Sequence, residues 1–179
     1  MICGIDEAGR GCLAGSLFVC GVVCEDLILD KIENLTDSKK LTRIKRDNIY
    51  NIAMKLEIKH FVVSFNANKI DLNGISKCMR NALIKIKSNL FANKYIFDGN
   101  TNFKVNGIEC LVKGDNLIKQ ISLASIIAKS LKDKESDELD KIYPQYKLAK
   151  NKGYGTKEHI ELIKIHSLSQ IHRKSFNIR

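Results

Sequence analysis

Between Asn116 and Leu131 the chain reads NLIKQISLASIIAKSL, and the middle of this segment offers apolar residues to every side of a helix. A helix of that kind does not sit on a surface; other elements have to pack around it. The rest of the chain supplies them. Met1–Ile5, Leu13–Cys24 and Ile58–Phe65 read as strands, and Lys94–Phe97 and Ile108–Val112 as two shorter ones. Leu41–Leu56 is a charged helix. Asn73–Leu90 places Ile75, Met79, Ala82, Leu83, Ile86 and Leu90 at helical spacing, with one buried face. Further helices are expected over Glu138–Ala149 and Thr156–Ile165. Three β-rich segments followed by alternating β and α predict an α/β fold, a mixed sheet covered by helices. At 179 residues one domain is expected over 1–179, with a helical C-terminal portion from about 140 onward.

Such a chain buries enough surface to fold without a structural metal or disulfide. Any metal is therefore expected to serve chemistry. Cys3, Cys12, Cys20, Cys24, Cys78 and Cys110 form no CxxC pair and match no zinc spacing with His; they read as reduced, buried thiols. No basic leader followed by an apolar segment opens the chain, and no apolar run is long enough to span a bilayer. A cytoplasmic protein without membrane association is expected, with a monomer as the default. Thirty Lys and Arg against twenty Asp and Glu give a net charge of +10 and a pI near 9.3. That surplus favours a polyanionic partner, because phosphate binding releases counterions.

Against this basic background the acidic residues are placed unusually. Three candidate strands run into acids: Asp6-Glu7 after the first, Asp98 after Lys94–Phe97, and Asp115 after Ile108–Val112. Each alone is an ordinary turn residue. If the three strands are neighbours, four carboxylates converge where α/β sites gather, and they repel unless cations sit among them. Oxygen donors of this type suit Mg²⁺ or Mn²⁺, and paired ions roughly 3.5–4 Å apart are the usual phosphodiester-cleaving arrangement. Successive strand residues face opposite ways, so Asp6 and Glu7 share a site only if the strand bends or ends there. Gly9 and Gly11 make a bend possible.

Gly4-Ile5-Asp6-Glu7-Ala8-Gly9-Arg10-Gly11, followed by Leu13-Ala14-Gly15, resembles the N-terminal signature of ribonuclease HII. Asp37-Ser38-Lys39-Lys40-Leu41, Phe97-Asp98-Gly99-Asn100 and Lys113-Gly114-Asp115 follow in that family's order. So do Ala124-Ser125-Ile126-Ile127-Ala128-Lys129, Asn151-Lys152-Gly153-Tyr154-Gly155-Thr156 with His159, and His172-Arg173-Lys174-Ser175-Phe176. The resemblance covers residues 2 to 176. It implies a ribonuclease H-like fold, a mixed five-stranded sheet flanked by helices. It also implies an endoribonuclease that hydrolyses the RNA strand of RNA–DNA hybrids and cuts 5′ to ribonucleotides embedded in duplex DNA. Asp6, Glu7, Asp98 and Asp115 would hold two Mg²⁺ or Mn²⁺ ions, with Asp6 bridging them. Products would carry 5′-phosphate and 3′-hydroxyl ends.

Telling RNA from DNA means reading a 2′-hydroxyl, and a glycine turn lets backbone amides come that close. The resemblance gives this task to Gly9, Arg10 and Gly11, with Tyr154 as a second reader that stacks at the RNA–DNA junction. Lys39, Lys40 and Lys129, with Arg10, are candidates for phosphate contact. His60 reads as structural and His159 as orienting the loop of Tyr154; no histidine is expected to act as ligand or general base. Cys12 and Ser16 stand where the family usually has proline, and the segment before His172 lacks the usual glycine and proline. Competing readings are a ribonuclease HIII-type hybrid nuclease, a junction resolvase of the same superfamily, and a non-catalytic nucleic-acid-binding module. A replication clamp or polymerase as partner is left open.

Overall fold

The computed structural model describes residues 1–33, 35 and 38–178, with the side chain of Lys39 outside that set. Strands β1 (Ile2–Ala8), β2 (Leu17–Val23) and β3 (His60–Phe65) form an antiparallel meander. Strands β4 (Lys94–Asp98) and β5 (Glu109–Leu111) extend it in parallel from β1, giving the mixed five-stranded order β3-β2-β1-β4-β5. The helices are α1 (Asp26–Leu29), α2 (Arg43–Lys55), α3 (Ala67–Asn73), α4 (Ile75–Asn89), α5 (Lys119–Ile142), α6 (Leu148–Asn151) and α7 (Lys157–His166).

Side-chain alternation along the strands divides the core between the two faces of the sheet. Cys3, Ile5, Val19 and Phe97 pack with Met79, Ala82, Leu83 and Ile86 of α4. Cys20 and Val22 pack on the other face with Leu123, Ala124 and Ile127 of α5, and α2 closes this layer with Ile49 and Ala53. The apolar half of α5 is central, as its composition demands. Ile121, Leu123, Ile126 and Ile127 are fully buried, each burial stabilising by about 1.5–3 kcal/mol. Gly4 lets α5 come that close: a side chain there would collide with the backbone at Gln120 and Ile121.

Several boundaries differ from expectation. Strand β1 runs on through Asp6 and Glu7, because both residues keep their pairing with β2, opposite Cys20 and Val19. Leu13–Ser16 is not strand. Gly15 has φ +79, and only Ala14 pairs there, with His172. Helix α5 continues past Leu131 to Ile142, so Glu138–Ala149 is no separate helix. Its first residues end α5, and a 3-10 turn at Pro144–Tyr146 and the short α6 follow. Five of the cysteines are buried and all six are free thiols, but Cys110 on the edge strand β5 is exposed. Among the described residues no helix is long and apolar enough to cross a membrane.

Candidate active site

The end of β1 creates the site. Alternation sends Asp6 to the α5 face with Gly4, and Glu7 to the α4 face with Cys3 and Ile5. The neighbouring β4 stops at Asp98, one residue beyond the Ile5–Phe97 pair. Past that point no strand separates the two faces, and Asp6, Glu7 and Asp98 line one cavity of about 320 Å³. Gly9, Arg10, Gly11, Ser38, Ser125, Lys129 and Tyr154 complete its walls. Strand β1 was expected to bend or end at Asp6-Glu7; it runs on to Ala8, and it is the neighbouring β4 that ends early.

Asp6 and Glu7 are short of water. Asp6 accepts from the Glu7 amide (2.7 Å) and from Ser125, whose hydroxyl also meets Ser38 Oγ at 2.9 Å. Burial, with the charges of Glu7 and Asp98, holds the Asp6 carboxyl well above the usual carboxylate range. Glu7 is also raised by burial, although Arg10 Nη1 lies 3.2 Å from its Oε1. Its other oxygen, Oε2, is buried with no hydrogen-bond partner. Asp98 Oδ1 accepts from the Gly114 amide at 3.2 Å.

Asp115 comes from a different element. It sits in a 3-10 turn, Gly114–Asn116, with Oδ1 accepting from Asn116 Nδ2 at 2.8 Å. It lines an adjoining cavity of about 670 Å³ with Asp98, Lys40, Val112, Lys113, Asn116 and Leu117. The four acids are therefore spread over two cavities that meet at Asp98. Among the described residues no three Asp, Glu, His or Cys side chains are gathered tightly enough to hold a metal ion.

The basic candidates divide likewise. Lys129 faces the first cavity, its Nζ 2.8 Å from Asp133 Oδ1 and 5.5 Å from the centre of the Tyr154 ring. Lys40 faces the second, donating to Asn116 Oδ1 at 2.6 Å. The Lys39 side chain and Asp37 lie outside the described residues. Asp133 also receives Arg46, which donates to the carbonyls of Ser38 (3.2 Å) and Leu41 (2.7 Å) and so ties the Ser38–Lys40 turn to α5.

The glycine turn rests on a cation that sequence reasoning did not single out. Arg173, 1% exposed, donates to Gly15 O from Nε (3.1 Å) and Nη2 (2.9 Å), and to Arg10 O from Nη1 (3.0 Å). Tyr154, 40% exposed, is held across the cavity because Gly153, at φ +80, lets its loop lie against the backbone of Ala14. Leu13 and Ala14 both donate to Gly153 O, at 2.7 and 3.2 Å.

The ribonuclease HII profile matches residues 3–178. The chain belongs to the ribonuclease HII family. "Ribonuclease HII" of Sulfurovum sp. (strain NBC37-1) is 44% identical over 99% of this chain and 92% of its own length. That of Helicobacter pylori (strain P12) is 46% identical over 100% and 92%. The ribonuclease H2 crystal structure from Pyrococcus horikoshii OT3 superposes with a TM-score of 0.82 at 20% identity, over 99% of this chain and 94% of that one. The structure of Bst-RNase HIII in complex with Mn²⁺ gives 0.69 at 16% identity, over 93% and 70%. The fold is thus the ribonuclease H-like one, and the chain is a ribonuclease H hydrolase.

Cys12 and Ser16, where the resemblance led to an expectation of proline, each supply an N–H that proline lacks. Cys12 donates to Gly9 O at 3.3 Å and closes the glycine turn; its buried thiol reaches Lys152 O at 3.6 Å. Ser16 donates its amide to Glu135 Oε2 at 2.9 Å, and its hydroxyl bonds the other oxygen of the same carboxylate. These bonds tie the loop to α5 and to the Tyr154 loop.

Behind Tyr154 lies a buried histidine pair. The Ser169 amide donates to His172 Nδ1 (3.1 Å), which places the His172 proton on Nε2, facing His159 Nε2 at 3.3 Å. His159 then carries its proton on Nδ1, directed at Tyr154 O at 2.9 Å. One more proton would set two N–H groups against each other. Burial and His159 accordingly push His172 down to about 4, and burial lowers His159 as well. A histidine held neutral by the fold contributes stability that is full above its unfolded pKa of about 6.5 and is lost as pH falls. Thermal stability should therefore decline from pH 6.5 toward 4, and His172→Gln should flatten that decline. Equal slopes in calorimetric melts of the two proteins would clear the pair of this role.

Proposed function

We propose that this chain hydrolyses the RNA strand of RNA–DNA hybrids and cuts on the 5′ side of ribonucleotides embedded in duplex DNA, leaving 5′-phosphate and 3′-hydroxyl ends. One observation carries the reading. Three carboxylates, two of them desolvated, share a cavity with a glycine turn and a half-exposed tyrosine, in a chain of net charge +10. Acids in that position weaken phosphate binding on their own, which argues against a module that only binds nucleic acid.

By donor chemistry, though not by their spacing in this structure, the residues fit divalent cations. Their donors are hard carboxylate oxygens, and Glu7 Oε2 is buried without a partner, as a ligand atom would be. Asp6, Glu7 and Asp98, with Asp115 from the adjoining cavity, would hold two Mg²⁺ or Mn²⁺ ions. Such ions supply Lewis-acid stabilisation of the phosphate charge and a more acidic attacking water. The Mn²⁺ complex of the ribonuclease HIII neighbour supports this choice.

The chain's own residues do the reading. Nothing lies within 4 Å of where a side chain on Gly11 would stand, so a ribose can approach that backbone directly. Tyr154 offers its ring for stacking, and burial, followed by the nearby Cys12, pushes its hydroxyl up to about 12. It therefore stays a neutral donor at working pH. The experiment is cleavage of a labelled DNA duplex carrying one ribonucleotide, with Mg²⁺, Mn²⁺ or EDTA. A cut at the 5′ side with either metal and none with EDTA is expected. Cleavage confined to long hybrids would overturn the embedded-ribonucleotide reading, and silence on both would overturn catalysis.

A further inference from the structure

We propose that the second cavity, beyond Asp98, is a subsite for the deoxynucleotides on the 5′ side of the scissile phosphate, gripped by backbone and sugar rather than by base edges. The proposal rests on the reading above, in which the ribonucleotide is recognised by Gly9–Gly11 and Tyr154 in the first cavity and the cut falls 5′ to it. Asp98 is the one residue common to the two linings. A strand whose scissile phosphate lies at Asp98 and whose ribose faces the glycine turn therefore sends its 5′ flank into the second cavity.

The walls of that cavity match a sugar-phosphate strand. Val112 and Leu117 are 62% and 71% exposed, large apolar groups left uncovered beside two acids. They offer a surface to deoxyribose and base faces, where carbon predominates. Lys40 and Lys113 supply cations for phosphate oxygens, and Lys40 is already steadied by Asn116. Apart from Asn116 the lining has no neutral side chain that could read a base edge, so the grip is insensitive to sequence.

Lys113 carries an independent mark. It adopts the left-handed conformation, φ 60 and ψ 35, immediately before Gly114. A lysine gains nothing for the fold there, since glycine takes that conformation more easily. Its exposed side chain makes no ion pair among the described residues. Lys104, Lys147 and Lys152 share that conformation, so what distinguishes Lys113 is its place, an exposed cation on the wall of the second cavity.

The test uses the full chain, as wild type, Lys113→Gly and Leu117→Ser. Substrates are single-ribonucleotide duplexes whose cleaved strand has a long 5′ flank, a 5′ flank of one nucleotide, or an equally shortened 3′ flank. Wild-type KM should rise several-fold when the 5′ flank is shortened, and much less for the 3′ flank. On the long flank each variant should raise KM about five- to tenfold, with a far smaller change in kcat, and that penalty should shrink on the short 5′ flank. Lys113→Gly should also flatten the plot of log KM against log salt by about 0.9 for one lost phosphate contact. Its melting temperature should rise as the strain goes, which separates lost binding from lost structure. Penalties independent of flank length, or a KM unmoved by either substitution while wild type cuts normally, would overturn the subsite. A wild type that leaves the embedded ribonucleotide intact would overturn the functional reading and the subsite together.

Discussion

Asp98→Asn is expected to cut turnover on every substrate by roughly a thousandfold, the equivalent of about 4 kcal/mol of lost transition-state stabilisation. The fold should survive. Asp98 Oδ1 accepts one hydrogen bond, from the Gly114 amide, and an asparagine oxygen accepts it equally well. Only the charge leaves, and that charge raises the proton affinity of both Asp6 and Glu7. A carboxylate whose folded pKa is raised costs stability once pH exceeds its unfolded value, so removing one of three repelling charges should stabilise the apo protein at neutral pH. If that relief is about 1 kcal/mol, the melting temperature rises about 2–4 °C in a chain of this size. Added Mn²⁺ should reverse the order, because a ligand that binds the folded state stabilises it in proportion to affinity. Single-turnover assays and calorimetry with and without Mn²⁺ check both halves. Wild-type turnover in the variant would remove Asp98 from the site, and a large drop in melting temperature would make its role structural.

The fold was readable wherever burial and periodicity agree. The all-round apolar face of Ile121–Ala128 announces a central helix, and Ile75 to Leu90 announces a one-sided one. Reading failed where tertiary contacts bury polar residues. Helix α5 was expected to stop at Leu131 because charges follow, yet Lys132 and Asp133 are 1% and 2% exposed. The glycine loops close over Lys132, and Arg46 and Lys129 converge on Asp133. Leu13–Ser16 failed for the same reason. Its apolar residues face the C-terminal segment, with Leu13 O accepting from the Arg173 amide at 2.8 Å.

For the site, order along the chain carried most of the information. Acids after three candidate strands point to the proposed site, but not to the hydrogen bond between Asp115 and Asn116 or to the cavity shared by Asp6, Glu7 and Asp98. The supporting residues stayed hidden because each acts through backbone atoms far away in sequence. Arg173 reaches carbonyls 158 and 163 positions upstream. Only its place in the His172–Phe176 segment hinted that the C-terminus had a site to serve.

Arg173→Met should therefore be among the most damaging substitutions that touch no substrate. Its guanidinium satisfies Gly15 O twice and Arg10 O once from a position 1% exposed. Methionine fills much of the volume but leaves both carbonyls without that donor, at about 1–3 kcal/mol for each one that stays buried. The buried charge also leaves, which returns part of its desolvation cost. A net loss of about 3 kcal/mol is expected, lowering the melting temperature by about 6–12 °C. At temperatures where the variant remains folded, freeing the Arg10 carbonyl should loosen the turn from Gly9 to Gly11. The loss should then be greater on a single embedded ribonucleotide, where one 2′-hydroxyl must be read, than on a long hybrid that offers many. Arg173→Lys keeps the charge but not the fork that spans two carbonyls, so it should recover stability in part and discrimination hardly at all. Melting curves with kcat/KM on both substrates decide the matter. Equal losses on the two substrates would reduce Arg173 to a structural support, and a variant as stable as wild type would contradict the three hydrogen bonds themselves.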